Sequence, residues 1–211
     1  MTRAIARIQF AFVRKVPRQQ RSRQMVERIV AAARRVLVEQ GYDAFSTNRV
    51  AAAAGVSPGS LYQYFPDKSA VLDVVVDRYW DEVADRVQAA LGDRVGQTGP
   101  AVVRATAAAV LAALESDREL LRVLHEDLPP RRLAGQRRAL EVRVRHLLAA
   151  VLAGRGGAGG RSVDAQAWVV VLAVEAIALR WVLDGPGPDR GEVLDELTAL
   201  VTGYLAPAQL G

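Results

Sequence analysis

The chain has 211 residues, 51% of them hydrophobic and 6% aromatic, and a formal net charge of +5. That length is enough to bury a real core, in one large domain or in a small and a medium one, and with no cysteine it excludes disulfides and thiolate metal sites, which fits a cytoplasmic protein. The charge is uneven: residues 1–70 carry 12 Arg or Lys against 4 Asp or Glu, and residues 71–211 carry 16 against 19, so a polyanionic partner is expected at the N-terminal part alone.

Residues 1–20 contain Arg3, Arg7, Arg14, Lys15 and Arg18 and no acid. They read either as a basic arm able to touch phosphates or the minor groove or as a disordered tail. Ile5, Ile8 and Phe12 also allow a short amphipathic helix there. The stretch lacks the continuous apolar core of a secretory signal. From Ser22 to Gln40 an apolar stripe of Ile29, Ala32, Ala33, Val36 and Leu37 predicts a helix, which Gly41 ends. Tyr42 and Phe45 are expected to pack beneath the next two short helices as their small core.

Residues 47–68, TNRVAAAAGVSPGSLYQYFPDK, organise the rest. Thr47 is a candidate cap for a short helix through Val50 and Ala54. Gly55 then offers the left-handed backbone that ends a helix at no steric cost. Ser57 caps a second helix with Pro58 at its first position, where the missing N–H is harmless. Leu61 and Phe65 would form its inward face, with Pro66 as the stop. The small side chains of Ala51 to Ala54 let the two helices cross closely. This is the helix-turn-helix pattern, whose second helix enters the major groove.

From Asp67, a cap candidate, a helix is predicted past Trp80 to about Leu91. Leu72, Val75, Val76, Tyr79, Val83 and Val87 form its stripe, and its length is on the order of 35 Å. Residues 92–100 (GDRVGQTGP) read as a linker. Helices follow over 101–116, 117–127 and 131–153, the last with Leu133, Leu140, Val144, Leu147, Leu148 and Val151 inward. Residues 154–160 form a glycine loop. They match G-x-G-x-x-G only because five of the seven are glycine, and no strand precedes them. Residues 162–184 are apolar almost all round. Asp164, Gln166, Glu175 and Arg180 argue against a membrane span, so this helix is expected to be buried on every side. After 185–188 (GPGP) a last helix runs over 189–205, with Val193, Leu194, Leu197, Leu200, Val201 and Tyr204 inward. The excess apolar surface of these two C-terminal helices points to a partner subunit.

The stretch AAAAGVSPGSLYQYFPDKSAVL closely resembles the signature of the TetR family of bacterial transcription regulators, and IVAAARRVLVEQGYDAFSTNRVA resembles the helix and turn that precede it there. The resemblance covers roughly residues 22 to 75. It implies an all-α chain: a three-helix helix-turn-helix DNA-binding domain over 21–68, and a larger helical domain for effector binding and dimerisation over 69–211. It also implies a homodimer through helices 162–184 and 189–205 that binds double-stranded operator DNA. A small apolar or aromatic effector would act on it in a cytoplasmic, nucleoid-associated setting, with no membrane and no cofactor. Repression is the family expectation; an activator, or an architectural DNA protein without effector, is the alternative.

The family's base-edge positions correspond to Pro58, Ser60 and Gln63, and its phosphate positions to Thr47, Tyr62, Tyr64 and Lys68. The residues themselves are chemically suited. Gln63 can be bidentate to adenine, Pro58 can touch a thymine methyl, and Ser57 opens a helix whose N-terminus favours acceptors. Gly59 admits close backbone approach, and Arg49 adds a further phosphate candidate. Trp80, His125, Trp168 and Glu175 are the candidates for an effector pocket. Mid-way along an apolar helix, Glu175 is costly unless paired. It is either a pocket anchor or half of a salt bridge, and Arg180 lies on another face. No protease or hydrolase motif and no metal-ligand spacing occurs, and His125-Glu126-Asp127 does not converge on a helix. No enzymatic activity is expected.

Overall fold

The computed structural model describes residues 20–92, 99–154, 161–185 and 187–206; for residues 91, 92, 130–134 and 136 it describes backbone alone. The N-terminal arm, most of the 92–100 linker and most of the glycine loop, with its G-x-G-x-x-G match, lie outside the described residues, as does the side chain of Leu133. The described residues are all α: α1 (Gln20–Ala44), α2 (Thr47–Ala54), α3 (Pro58–Tyr62), α4 (Lys68–Gly92), α5 (Pro100–Glu115), α6 (Arg118–Glu126), α7 (Pro130–Ala153), α8 (Val163–Asp184) and α9 (Arg190–Leu205). They form two compact units. The first takes residues up to Asp81 together with Glu119–Gln136; the second takes Glu82–Arg118 and everything from Arg137. Helix α4 therefore contributes to both.

In the first unit α1 kinks at Gly41, whose φ of 74° and ψ of 174° break the helical path. Only glycine adopts that region without strain. Ile29, Ala33, Val36 and Leu37 of α1 are buried together with Phe45, Val50, Leu61 and Phe65, so α1 supplies the floor on which the two short helices rest. Val71, Leu72, Val75 and Tyr79 of α4 and Leu120, Leu121 and Leu124 of α6 complete the core. Arg78 of α4 donates through both terminal nitrogens to the Glu27 carboxylate of α1, at 2.5 and 2.6 Å. This bidentate pair fixes both position and plane.

In the second unit α5 packs on α8 and α9. Its core is made by Leu111, Ala167, Val170, Ala178, Val182, Leu194, Leu197 and Val201. Gly99, at φ 98°, precedes the Pro100 that opens α5. Asp189 caps α9 through a capping box with Glu192, which satisfies orphan amides at both residues. Arg104 pairs with Asp195 at 3.0 Å and Arg190 with Glu115 at 3.3 Å, joining α5 to α9 at two levels.

Several expected faces come out differently. Leu147 and Val151 of α7 and Leu200 of α9 are exposed rather than inward. Helix α8 is not buried all round, because Trp168, Val169 and Ile177 reach solvent. A 3.6-residue stripe records that a face is apolar, not whether its own chain covers it. By length and composition α8 would also suffice to cross a bilayer, with a mean hydropathy of 1.7. Its packing on α5 and the pairing of Glu175 with Arg137 account for its character as a helix of a folded domain.

Gln166 on α8 is 1% exposed, and its Nε2 has no partner among the described residues. A buried donor without an acceptor costs about 1–3 kcal/mol. Gln166→Leu, of similar volume, is therefore expected to raise the melting temperature of the apoprotein in calorimetry, by about 2–4 °C for each kcal/mol relieved; a lower melting temperature would show that the amide makes a stabilising interaction in the native core.

Candidate nucleic-acid interface

The cap of α2 is Ser46, not Thr47: the Ser46 hydroxyl accepts the Arg49 amide at 3.3 Å. Thr47 is thereby free for another role, and its Oγ1 lies 3.0 Å from the Tyr62 hydroxyl. The start of α2 and the end of α3 are thus tied by two residues expected at phosphates. Ala51 and Ala54 are buried, giving the close crossing that small side chains permit. Gly55 sits at φ 64°, ψ 40°, and its amide and that of Val56 return to the Ala52 and Ala51 carbonyls at 3.1 and 3.0 Å. An added Cβ would meet nothing within 4 Å there, so the demand for glycine is one of backbone angle alone.

Ser57 caps α3, accepting the Ser60 amide at 3.1 Å, and its hydroxyl is 2.9 Å from that of Ser60. With Pro58 bringing no N–H and the Ser60 amide already held, this helix end offers fewer free donors than the sequence implies. Helix α3 also stops at Tyr62, short of Pro66. The Tyr64 and Phe65 amides both return to the Leu61 carbonyl, at 2.9 and 3.0 Å, turning the chain so that Phe65 is fully buried. Gln63 accordingly sits at the C-terminal edge of α3 rather than inside it.

All ten residues predicted for DNA reach solvent. Arg49, Ser57, Pro58, Gly59, Tyr62, Gln63 and Lys68 are exposed, and Thr47, Ser60 and Tyr64 are half-buried. Arg49 uses one nitrogen on the Gln40 side chain, at 3.0 Å, and keeps its remaining donors. Asp67 caps α4 by accepting the Ala70 amide at 2.9 Å, which places Lys68 at the first helical position. Two supporting residues are not evident from the sequence. Arg35 donates to the Ala53 carbonyl at 2.9 Å, clamping α2 onto α1. The Tyr42 ring lies 5.1 Å from the Lys68 ammonium. Both pairings join residues far apart in the chain, a separation that carries no periodic signal.

The four residues expected at an effector pocket fall in different places. Trp80, buried and edge-on to Tyr79 with ring centroids 5.2 Å apart, and His125, exposed, belong to the first unit. Trp168 and Glu175 belong to the second, two turns apart on α8. Glu175 is half of an interhelical salt bridge, with Arg137 Nε of α7 at 2.5 Å, while Arg180 pairs instead with Asp184 at 3.0 Å. None of the four lines the cleft of about 420 Å3 in the second unit, formed by Glu115, Arg118, Trp181, Val182, Gly185, Gly187 and Pro188. There the Trp181 indole donates to the Pro188 carbonyl at 2.9 Å. Among the described residues no three His, Asp or Glu side chains are grouped to hold a metal.

The short capped pair of helices on a third is a helix-turn-helix DNA-binding head, followed by a helical C-terminal domain. The family model for bacterial regulatory proteins of the tetR family matches residues 29–75, and that for the tetracyclin repressor-like C-terminal domain matches residues 100–205. The chain belongs to the TetR family and is a DNA-binding transcriptional regulator.

Among curated proteins, the nucleoid occlusion factor SlmA of Haemophilus ducreyi is 48% identical over 40 residues, which is 19% of this chain and 20% of SlmA. The chain thus spans about a fifth of the length of that relative. Among solved structures, the fatty acid degradation regulator FadR of Bacillus halodurans is 18% identical with a TM-score of 0.66, covering 85% of this chain and 95% of that one. FadR of Bacillus subtilis in complex with stearoyl-CoA is 16% identical at 0.65, covering 84% and 98%. The multidrug binding protein EbrR, complexed with imidazole, is 21% identical at 0.65, covering 88% and 98%. At these identities the likeness is one of fold.

Proposed function

We propose that the protein is a ligand-responsive repressor that binds a near-palindromic operator as a homodimer, each α3 reading one half-site about 34 Å from the other. The observation that carries this reading is the set of exposed residues Ser57, Pro58, Gly59, Tyr62 and Gln63 on and beside a short helix anchored by Leu61 and, just beyond it, by Phe65, flanked by the exposed cations Arg49 and Lys68. In this arrangement Pro58, Ser60 and Gln63 meet base edges, with Ser57 and Gly59 at the backbone's closest approach. Thr47, Arg49, Tyr62, Tyr64 and Lys68 hold phosphates and set the register.

Dimerisation is supported by a stripe on α8 and α9 open to solvent in the single chain. On α8 it comprises Ala165, Trp168, Val169, Ala176 and Ile177, and on α9 Ala199, Leu200 and Gly203. Small residues between large apolar ones let a second helix pair approach closely. This use also suits Trp168 better than a pocket does. An effector of apolar or aromatic character would bind within the C-terminal domain, as the stearoyl-CoA and imidazole complexes of the same fold suggest. Because α4 belongs to both units, a change of its course would alter the spacing of the two heads. The effector shifts that equilibrium only by its differential affinity for the two states.

The test is fluorescence anisotropy with duplex DNA flanking the protein's own gene and with random duplex. Gln63→Ala is expected to lose about 1–3 kcal/mol of discrimination between the two. Lys68→Ala is expected to weaken both alike and to lower the salt slope by about 1. Equal losses on both duplexes for both variants would contradict the assignment.

A further inference from the structure

Lys68 stands at the first position of α4, where the helix dipole disfavours a cation. Among the described residues no carboxylate pairs with it; its neighbour Asp67 is engaged in capping Ala70. What the ammonium has instead is the face of Tyr42, 5.1 Å from the ring centroid. That distance is within the range over which a ring quadrupole attracts a cation.

The ring is itself held in place. It comes directly after the Gly41 kink at φ 74° and is half-buried. The turn lies close to Asp127, the residue that follows α6 in the same unit: a Cβ at Gly41 would lie 3.4 Å from its Oδ2. A carboxylate partner would neutralise Lys68 and occupy its N–H groups. A ring does neither, yet still restricts where the four-carbon stem can place the charge.

We propose that Tyr42 is a positioning residue for the phosphate contact of Lys68: its ring fixes the ammonium at the start of α4 and leaves the full charge and the N–H donors to the DNA backbone. This rests on the reading of Lys68 as a phosphate contact. Tyr42 itself touches no DNA in this arrangement; it removes freedom that Lys68 would otherwise lose on binding.

The experiment is a double-mutant cycle by anisotropy on the gene-flanking duplex and a random duplex, between about 50 and 200 mM salt, with Y42F, Y42L, K68A and Y42L/K68A. Y42F, which keeps the ring face, is expected to bind as the parent does. Y42L is expected to bind both duplexes about two- to fivefold more weakly, and to add nothing to K68A. A Y42L penalty of the same size with and without Lys68 would reduce the ring to core packing and overturn the proposal, and so would a Y42F variant as weak as Y42L. K68A binding at the parent level would remove the phosphate reading itself, an outcome distinct from both. A second measurement does not depend on Y42L folding: the Lys68 Hε resonances, assigned through K68R, should be shifted upfield by the ring in the parent and in Y42F. Resonances at unshifted positions would show that the ring and the ammonium do not meet.

Discussion

Val169→Glu is expected to split the protein into monomers and to cut its affinity for the gene-flanking duplex by about a hundredfold or more. Val169 is 37% exposed on α8, among Ala165, Trp168 and Ala176 on the solvent side of the helix. In a two-fold dimer one substitution appears twice across a self-complementary surface, so two carboxylates would be buried without partners, each at a cost of several kcal/mol. Operator binding suffers because a dimer engages its second half-site intramolecularly, a gain of about 10² to 10⁴ that a monomer forfeits. Light scattering coupled to gel filtration reads the first effect and anisotropy the second. The fold itself should persist, since Val169 is not among the buried residues of the protomer core. A variant that stays dimeric and keeps operator affinity would place the subunit contact elsewhere, with the exposed Leu147 and Val151 of α7 the next surface to substitute.

The helix-turn-helix is legible in the sequence because its determinants are local. Ser57 and Asp67 each accept an amide three residues on, Gly55 and Pro58 act through their own backbone angles, and each does in the structure what its chemistry implies. Even there, two neighbouring hydroxyls compete: Ser46 and Thr47 both suit a cap, and only backbone geometry, with Ser46 at φ −147°, decides between them. The sequence overstates the length of α3 because Leu61 and Phe65 stand four apart, a spacing that a helix and a turn closing back on the Leu61 carbonyl satisfy equally. Long-range pairing is not legible at all. Glu175 announces that it needs a cation but not that Arg137, 38 residues earlier, supplies it. The same limit applies to the stripes of α7, α8 and α9. Burial against one's own chain and burial against a second copy impose the same periodicity, so the pattern of Leu147, Val151 and Leu200 points inward although the single chain leaves them in water.

Phe65→Ala is expected to abolish specific DNA binding while leaving the dimer intact, the converse separation from Val169→Glu. Helix α3 has five residues, of which Leu61 alone is buried, and its free energy of formation in isolation is unfavourable. Its placement therefore depends on Leu61 and on Phe65, both 0% exposed, joined by the backbone bond from the Phe65 amide to the Leu61 carbonyl. Truncating a buried phenylalanine costs about 3–5 kcal/mol, a large share of what a small DNA-binding head can have. The loss falls on the element that carries Pro58, Ser60 and Gln63, so the reading surface becomes disordered before the C-terminal helices are affected. Hydrogen exchange should show faster exchange in α2 and α3 with unchanged protection in α8 and α9, gel filtration an unchanged dimer, and anisotropy a loss of operator binding. If protection is lost in α2 and α3 while operator affinity is retained, the recognition surface does not depend on a preformed α3, and the base contacts assigned to it would have to form on the DNA itself.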